Sequence, residues 1–195
     1  MDRLQKQIAF LVEIDKLKTI IRQSFLTDCS RRENDAEHSW HLAIMAMILS
    51  EHADHPTLNI LKVIKMLIIH DLVEIDAGDT FAYDETGYQD KETREHEAAK
   101  RIFGMLPDDQ HSEYYQLWLE FEKKETIESM FANVIDRLQP ILQNYYSNGQ
   151  AWKAHCIRRD QVLKRVEFFK DCSDSLWNFV QQLIDDAVKK EFLLP

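Results

Sequence analysis

The chain has 195 residues, 45% hydrophobic and 30% charged, with only four Gly and four Pro. That balance gives enough apolar mass for one globular core and excludes collagen-like, disordered and turn-dense all-β classes. Lys plus Arg number 24 against 34 Asp plus Glu, a net charge of -10, which repels polyphosphate backbones and argues against general nucleic-acid binding.

The first twenty residues carry Asp2, Arg3, Lys6, Glu13, Asp15, Lys16 and Lys18, unlike a signal peptide. Phe10, Ile14, Leu17, Ile21 and Phe25 fall on one stripe of an amphipathic helix over 3–24. Helices over 35–53 and 58–73 come next, and they differ from the rest. Trp40, Leu42, Ile44, Met45, Met47 and Ile48 in one, and Leu61, Val63, Ile64, Met66, Leu67, Ile68 and Leu72 in the other, point in nearly every direction. Lys62 and Lys65 leave one narrow polar edge. A helix apolar all round is buried, so these two are expected at the centre of a bundle. The acidic stretch 76–90, with Gly78 and Gly87, reads as a loop forming a mobile rim. Helices over 91–104, 110–124, 126–146, 150–170 and 173–190 follow, broken by Pro107 and Asn148-Gly149.

Strand-like alternation is nearly absent. The expectation is an all-α bundle of about seven or eight helices forming a single domain over 1–195. Cys29, Cys156 and Cys172 form no C-x-x-C pair, which suits a reducing compartment and a cytoplasmic protein. No apolar run approaches the ~20 residues that cross a bilayer.

Polar groups interrupt the two apolar helices. His38 and His41 lie near the start of the first, and His70-Asp71 at the end of the second. A buried carboxylate needs a cation, a strong donor or a metal. Imidazole nitrogen and carboxylate oxygen suit Zn, Mn, Fe or Co-like divalent ions. The 32 residues from His38 to His70 span one helical hairpin. A core histidine with one hydrogen bond and a carboxylate in a C-terminal turn remain the alternative. This chemistry supports a metal site and assigns no reaction. A di-iron bundle needs Glu-x-x-His pairs, and no His here has Glu three residues before it.

The segments Arg31-Arg32-Glu33-Asn34-Asp35-Ala36-Glu37-His38-Ser39, Leu67-Ile68-Ile69-His70-Asp71-Leu72-Val73-Glu74 and Gly78-Asp79 resemble the HD-domain metal-dependent phosphohydrolases. Within them the chain is most similar to the compact YfbR-like and HD-domain-containing-protein-2-like 5'-deoxynucleotidases. The resemblance covers the helical core, residues 10–145, and the paired segments carry it. It implies one divalent ion held by His38, His70, Asp71 and an Asp on a later helix, best matched by Asp136. On a helical wheel Asp136 lies about 140° from the stripe of Phe131, Val134, Ile135, Leu138 and Leu142, so pattern alone leaves it solvated or paired with Arg137. Pro140 removes the amide that would bond the Asp136 carbonyl, and a kink there would aim Asp136 inward.

His41 shares a face with His38; the family pattern favours His38 as ligand and leaves His41 a supporting or packing role. His52, His55, His96, His111 and His155 match no motif and read as surface or interface residues. The resemblance places Glu74 near the phosphate and the nucleophile, Asp79 near the sugar hydroxyls and Arg22 on the phosphate. By pattern, Glu74 is equally a solvated helix-end carboxylate, Asp79 an ordinary turn residue and Arg22 a surface residue of the first helix. Of Arg31 and Arg32, one is a phosphate candidate and the other a surface ion pair. Gln23 stands where some relatives carry a bulky aromatic beside the sugar. The implied function is hydrolysis of a phosphate monoester, a (deoxy)nucleoside 5'-monophosphate above others. The alternatives are a non-catalytic nucleotide sensor and a hydrolase of another phosphate ester. Relatives are commonly dimers; the C-terminal stripes with Trp177 and Phe179 are either a subunit contact or intrachain core.

Overall fold

The computed structural model describes residues 2–84, 87 and 89–195. Helix α1 (Arg3–Ile14) starts where Asp2 accepts a hydrogen bond from the Gln5 amide and Gln5 returns one to the Asp2 amide, a reciprocal cap. It ends ten residues short of the expected 24. A 3₁₀ turn (Asp15–Thr19) leads into strand β1 (Ile21–Phe25), which pairs antiparallel with β2 (Arg32–Asn34). The branched pair Ile20-Ile21 favours extended backbone, and the Asp35 amide bonded to the Ile20 carbonyl at 3.1 Å closes the ribbon. Of the predicted stripe, Phe10 and Leu17 are core while Ile21 is exposed. Ile21 faces Asn34 and Phe25 faces Arg32. Four steps along β1 therefore oppose two along β2, and Arg22-Gln23-Ser24 bulges from the ladder. A bulge re-aims its side chains.

Strand β2 runs directly into α2 (Asp35–Leu49), capped reciprocally by Asn34 and Glu37. Helix α3 (Ile60–Ile69) tightens into a 3₁₀ turn at His70–Val73, followed by α4 (Glu74–Ala77). Gly78 ends this run at φ 75°, a conformation open to glycine at little cost. Of the expected rim over 76–90, Asp76 and Ala77 are helical, and Glu85, Thr86 and Tyr88 lie outside the described residues.

Helices α5 (Lys91–Phe103), α6 (Asp108–Lys123) and α7 (Ile127–Tyr146) follow. The expected helix over 150–170 divides into α8 (Gln150–Ala154), α9 (Arg159–Val166) and a 3₁₀ turn (Glu167–Asp171). The division falls at Cys156, whose φ is 52°; buried Trp152 and Ile157 on either side hold it. Helix α10 (Asp174–Lys189) begins at the Ser173 cap. Leu176, Val180, Leu183, Ile184 and Ala187 of α10 are buried against this same chain, whereas Trp177 is half-buried and Phe179 is exposed.

Helices α2, α3 and α7 form the centre through Leu42, Ala46, Val63, Met66, Leu67, Ile135 and Leu138. The two apolar helices are not covered all round, contrary to expectation. Trp40 is 66% exposed, and Ile48 and Leu61 are each 63% exposed. For α3 the polar edge explains this. Lys62 pairs with Glu120 at 2.6 Å and Lys65 with Glu113 at 2.7 Å, so that edge turns toward α6 and leaves apolar residues facing out. Among the described residues no helix is long and apolar enough to cross a membrane.

Candidate functional site

The Asn34 cap fixes the first turn of α2, and with it His38, which has no exposed surface. The 3₁₀ turn after α3 carries His70 and Asp71. Its tighter pitch departs from the continuous α-helix expected there, and such breaks mark functional strain. Helix α7 supplies Asp136. The four side chains converge. His38 Nε2 lies 3.0 Å from Asp136 Oδ1 and 3.8 Å from Asp71 Oδ2. His70 Nε2 lies 3.0 Å from Asp71 Oδ1 and 3.6 Å from Asp136 Oδ1.

Both imidazoles are oriented from behind. His70 Nδ1 donates to the Leu67 carbonyl at 2.9 Å, and His38 Nδ1 donates to Gln139 Oε1 at 3.1 Å. Each Nε2 is therefore the nitrogen turned to the centre, the one that would give its lone pair to a metal. His70 Nε2 is buried without a hydrogen-bond partner. Burial would lower the pKa of His70, but the nearby charges of Asp71 and Asp136 raise it well above the ordinary value. Burial would lift Asp136, yet both histidines hold it well below the carboxylate range. Asp71 is held low in the same way by His70 and Arg22. Two ionised carboxylates and two aimed imidazoles, one with an orphaned nitrogen, fit a divalent ion of the Zn, Mn, Fe or Co type.

Asp136 is the residue the wheel misplaces. Its side chain is 23% exposed and touches both histidines rather than Arg137. Arg137 turns away, donating to the Arg165 carbonyl at 2.6 Å and covering the Phe168 ring at 4.8 Å. Asn133, Asp136, Arg137, Pro140 and Asn144 share one polar face of α7, and that face lines a cavity of about 740 Å³. A polar helical stripe that looks like a solvent face is here the wall of a pocket.

Arg22 lies on the bulged strand, not on a surface helix. Its Nη1 donates to Asp35 Oδ1 and Asp71 Oδ2, both at 3.0 Å, and its Nε sits 3.8 Å from Glu33 Oε2. Gln23, Glu74 and Asp79 line the same cavity. Glu74 is 6% exposed, which removes the solvated helix-end alternative. Burial and the charges of Asp71, Asp35 and Asp79 push its carboxyl well above the usual range. The Asp35 carboxyl is pushed up to about 6, by burial first and Asp71 second. A divalent charge beside Asp71 opposes both rises.

Three participants were not legible beforehand: Gln139, Glu33 and Asp35. Gln139 also donates to Glu33 Oε1 at 2.7 Å and lies 3.3 Å from His41 Nδ1. The i, i+3 spacing from Asp136 to Gln139 was the available signal. Arg31 forms a bidentate surface pair with Glu37, Arg32 covers the Phe25 ring, and neither lines the cavity. His96 does line it, edge-on to Trp118, contrary to its expected surface place.

The chain matches the family model described as HD domain over residues 14–177. It is 31% identical over 137 residues to the human protein named 5'-deoxynucleotidase HDDC2, covering 70% of this chain and 65% of that one. The match thus spans just under two thirds of the human relative. The Dictyostelium discoideum protein of the same name is 28% identical over 73% of this chain and 77% of its own. The solved structure of a predicted metal-dependent phosphohydrolase from Magnetospirillum magnetotacticum MS-1 superimposes with a TM-score of 0.91 at 52% identity, covering 99% of each chain. With His38 and the His70-Asp71 pair inside the matched span and the fold shared nearly end to end, the chain belongs to the HD domain family.

Proposed function

We propose that this chain, acting as one domain over 1–195, is a metal-dependent phosphomonoester hydrolase whose substrates are (deoxy)nucleoside 5'-monophosphates. One observation carries the reading. His38, His70, Asp71 and Asp136 converge with the His70 Nε2 unpartnered, and the Arg22 guanidinium lies against Asp71 at the edge of a cavity of mononucleotide scale. The names of the human and Dictyostelium relatives supply the substrate class. His38, His70, Asp71 and Asp136 would hold the ion. When bound, it supplies a Lewis acid that activates water and offsets phosphate charge.

The protein groups do the rest. Arg22 presents its fork to the phosphate, held in place by Asp35 and Asp71. Burial and the carboxylates of Asp71, Asp35 and Asp79 favour the neutral form of Glu74, which suits it to act as a proton donor. It delivers the proton to the departing sugar oxygen. Asp79 and Gln23 line the wall that receives the sugar. The test is phosphate release from a panel of nucleoside monophosphates, triphosphates and cyclic dinucleotides. Turnover of monophosphates, abolished by exhaustive chelation and restored by a divalent transition metal, is the expected result. Full activity after chelation removes the metal. Equal turnover of a triphosphate removes the substrate class.

A further inference from the structure

Lys124 occupies the C-cap of α6 with φ 57° and ψ 37°. This is the left-handed region, where a side chain with Cβ is disfavoured and glycine is the common occupant. Its amide still closes the helix, donating to the Glu120 carbonyl at 3.3 Å. Four other non-glycine residues among those described have positive φ: Cys29, Asn148, Cys156 and Glu191. Of the five, Lys124 alone lines the cavity that holds His70, Asp71 and Asp136.

The side chain is also unspent. Among the described residues the Lys124 ammonium makes no hydrogen bond and no ion pair, whereas Lys62, Lys65 and Lys91 are paired with carboxylates. Its side chain is exposed to the solvent at the cavity mouth, within electrostatic reach of Asp136, Arg137 and Glu122. A residue kept in a costly backbone conformation at a cavity, with its charge unused by the fold, is a candidate for a ligand contact.

We propose that Lys124 is a second anion contact of this site, binding a phosphate oxygen of the substrate from the Asp136 side while Arg22 binds from the Asp71 side. Arg22 bonds directly to Asp71, and Lys124 lines the same cavity as Asp71 and Asp136, so both cations border the space in front of the metal-ligand set. The assignment rests on the hydrolase reading for its substrate but not for its binding chemistry. A doubly charged phosphate is met by two cations of different character. The arginine is a fixed fork and the lysine a point charge on a flexible stem.

The experiment uses the full chain loaded with Mn or Co, and inorganic phosphate as the probe. In Lys124→Gly, the phosphate Kd rises about tenfold, the scale of one lost charge-assisted hydrogen bond. Bound metal per chain stays unchanged. Its Tm rises by about 2–4 °C, because glycine relieves the left-handed strain. Lys124→Arg keeps phosphate affinity close to wild type. A purely structural lysine would give a changed Tm with an unchanged Kd, and that result overturns the proposal. Loss of phosphate binding together with loss of metal overturns it as well. The two readings fail separately. A wild-type protein that hydrolyses monophosphates while Lys124→Gly keeps both Kd and KM refutes the lysine contact alone. One that binds phosphate through Lys124 yet turns over no monophosphate refutes the hydrolase.

Discussion

Replacing Gln139 by Leu tests whether the buried network behind His38 sets the metal affinity. Leu has a similar volume, so no large cavity follows. Two buried groups lose a hydrogen bond, the His38 Nδ1–H, now 3.1 Å from Gln139 Oε1, and the Glu33 carboxylate, now 2.7 Å from Gln139 Nε2, and keep only their own 3.6 Å approach to each other. An orphaned neutral group costs roughly 1–3 kcal/mol and a charged one more. The apo protein should lose about 3–5 kcal/mol, read from urea unfolding in excess chelator. Without its acceptor the His38 ring loses the bond that fixes its tautomer. Metal affinity should fall about 10- to 100-fold, read by competition with a chelating dye. Gln139→Glu separates the two causes. It keeps an acceptor for His38 but sets a second carboxyl against Glu33, so stability falls while more of the metal affinity survives. A Leu variant with unchanged metal affinity would refute the claim that Gln139 orients His38.

Two further outcomes follow. Glu74→Ala should keep its metal and lose roughly 10²–10⁴ in kcat, as expected for a missing proton donor; steady-state kinetics with metal analysis checks this, and an unchanged kcat takes Glu74 out of the mechanism. The Cys172 thiol is pushed up to about 11 by burial, with Asp171 and Asp54 adding to the effect. Its stabilising preference for the neutral form is therefore complete below pH 9 and is lost as pH rises through about 11. Iodoacetamide at pH 8 should label exposed Cys156 and spare Cys172 in the native protein, and equal labelling by mass spectrometry would contradict the burial argument.

Much of the fold can be read in the sequence because its signals are local. The Asn34-x-x-Glu37 cap, the α10 stripe and the breaks at Pro107 and Gly149 depend on a few neighbouring residues. The ribbon at Ile21–Phe25 is missed because it is stabilised by a partner strand seven residues beyond its end, while its apolar spacing continues that of α1. The exposed face of α3 is missed for a related reason. A hydrophobic count cannot reveal that Lys62 and Lys65 turn toward acids on α6. At the site, His38, His70 and Asp71 stand out because they interrupt apolar helices. Arg22 and Asp136 stand on faces that look solvated; the family resemblance points to both, and Pro140 adds a local pointer for Asp136 alone. Glu33 and Asp35 lie at a strand-to-helix junction, where neither period applies.

The bulge in β1 makes the placement of Arg22 a matter of chain length. Three residues, Arg22 to Ser24, span a gap that the partner strand crosses with Glu33 alone. Side chains alternate along extended backbone, so a one-residue slip would send a neighbour such as Ile21 or Gln23 toward Asp71 in place of the guanidinium. The amide bonds at both ends of the ribbon, Asp35 to Ile20 and Leu26 to Arg31, hold the count. Substitutions at Gln23 or Ser24 leave that count intact. A deletion of either one does not, even though neither residue touches Arg22's partners. This short segment should therefore accept new side chains far more readily than a change in its number of peptide units, and the turn over 27–30 beyond it should accept both.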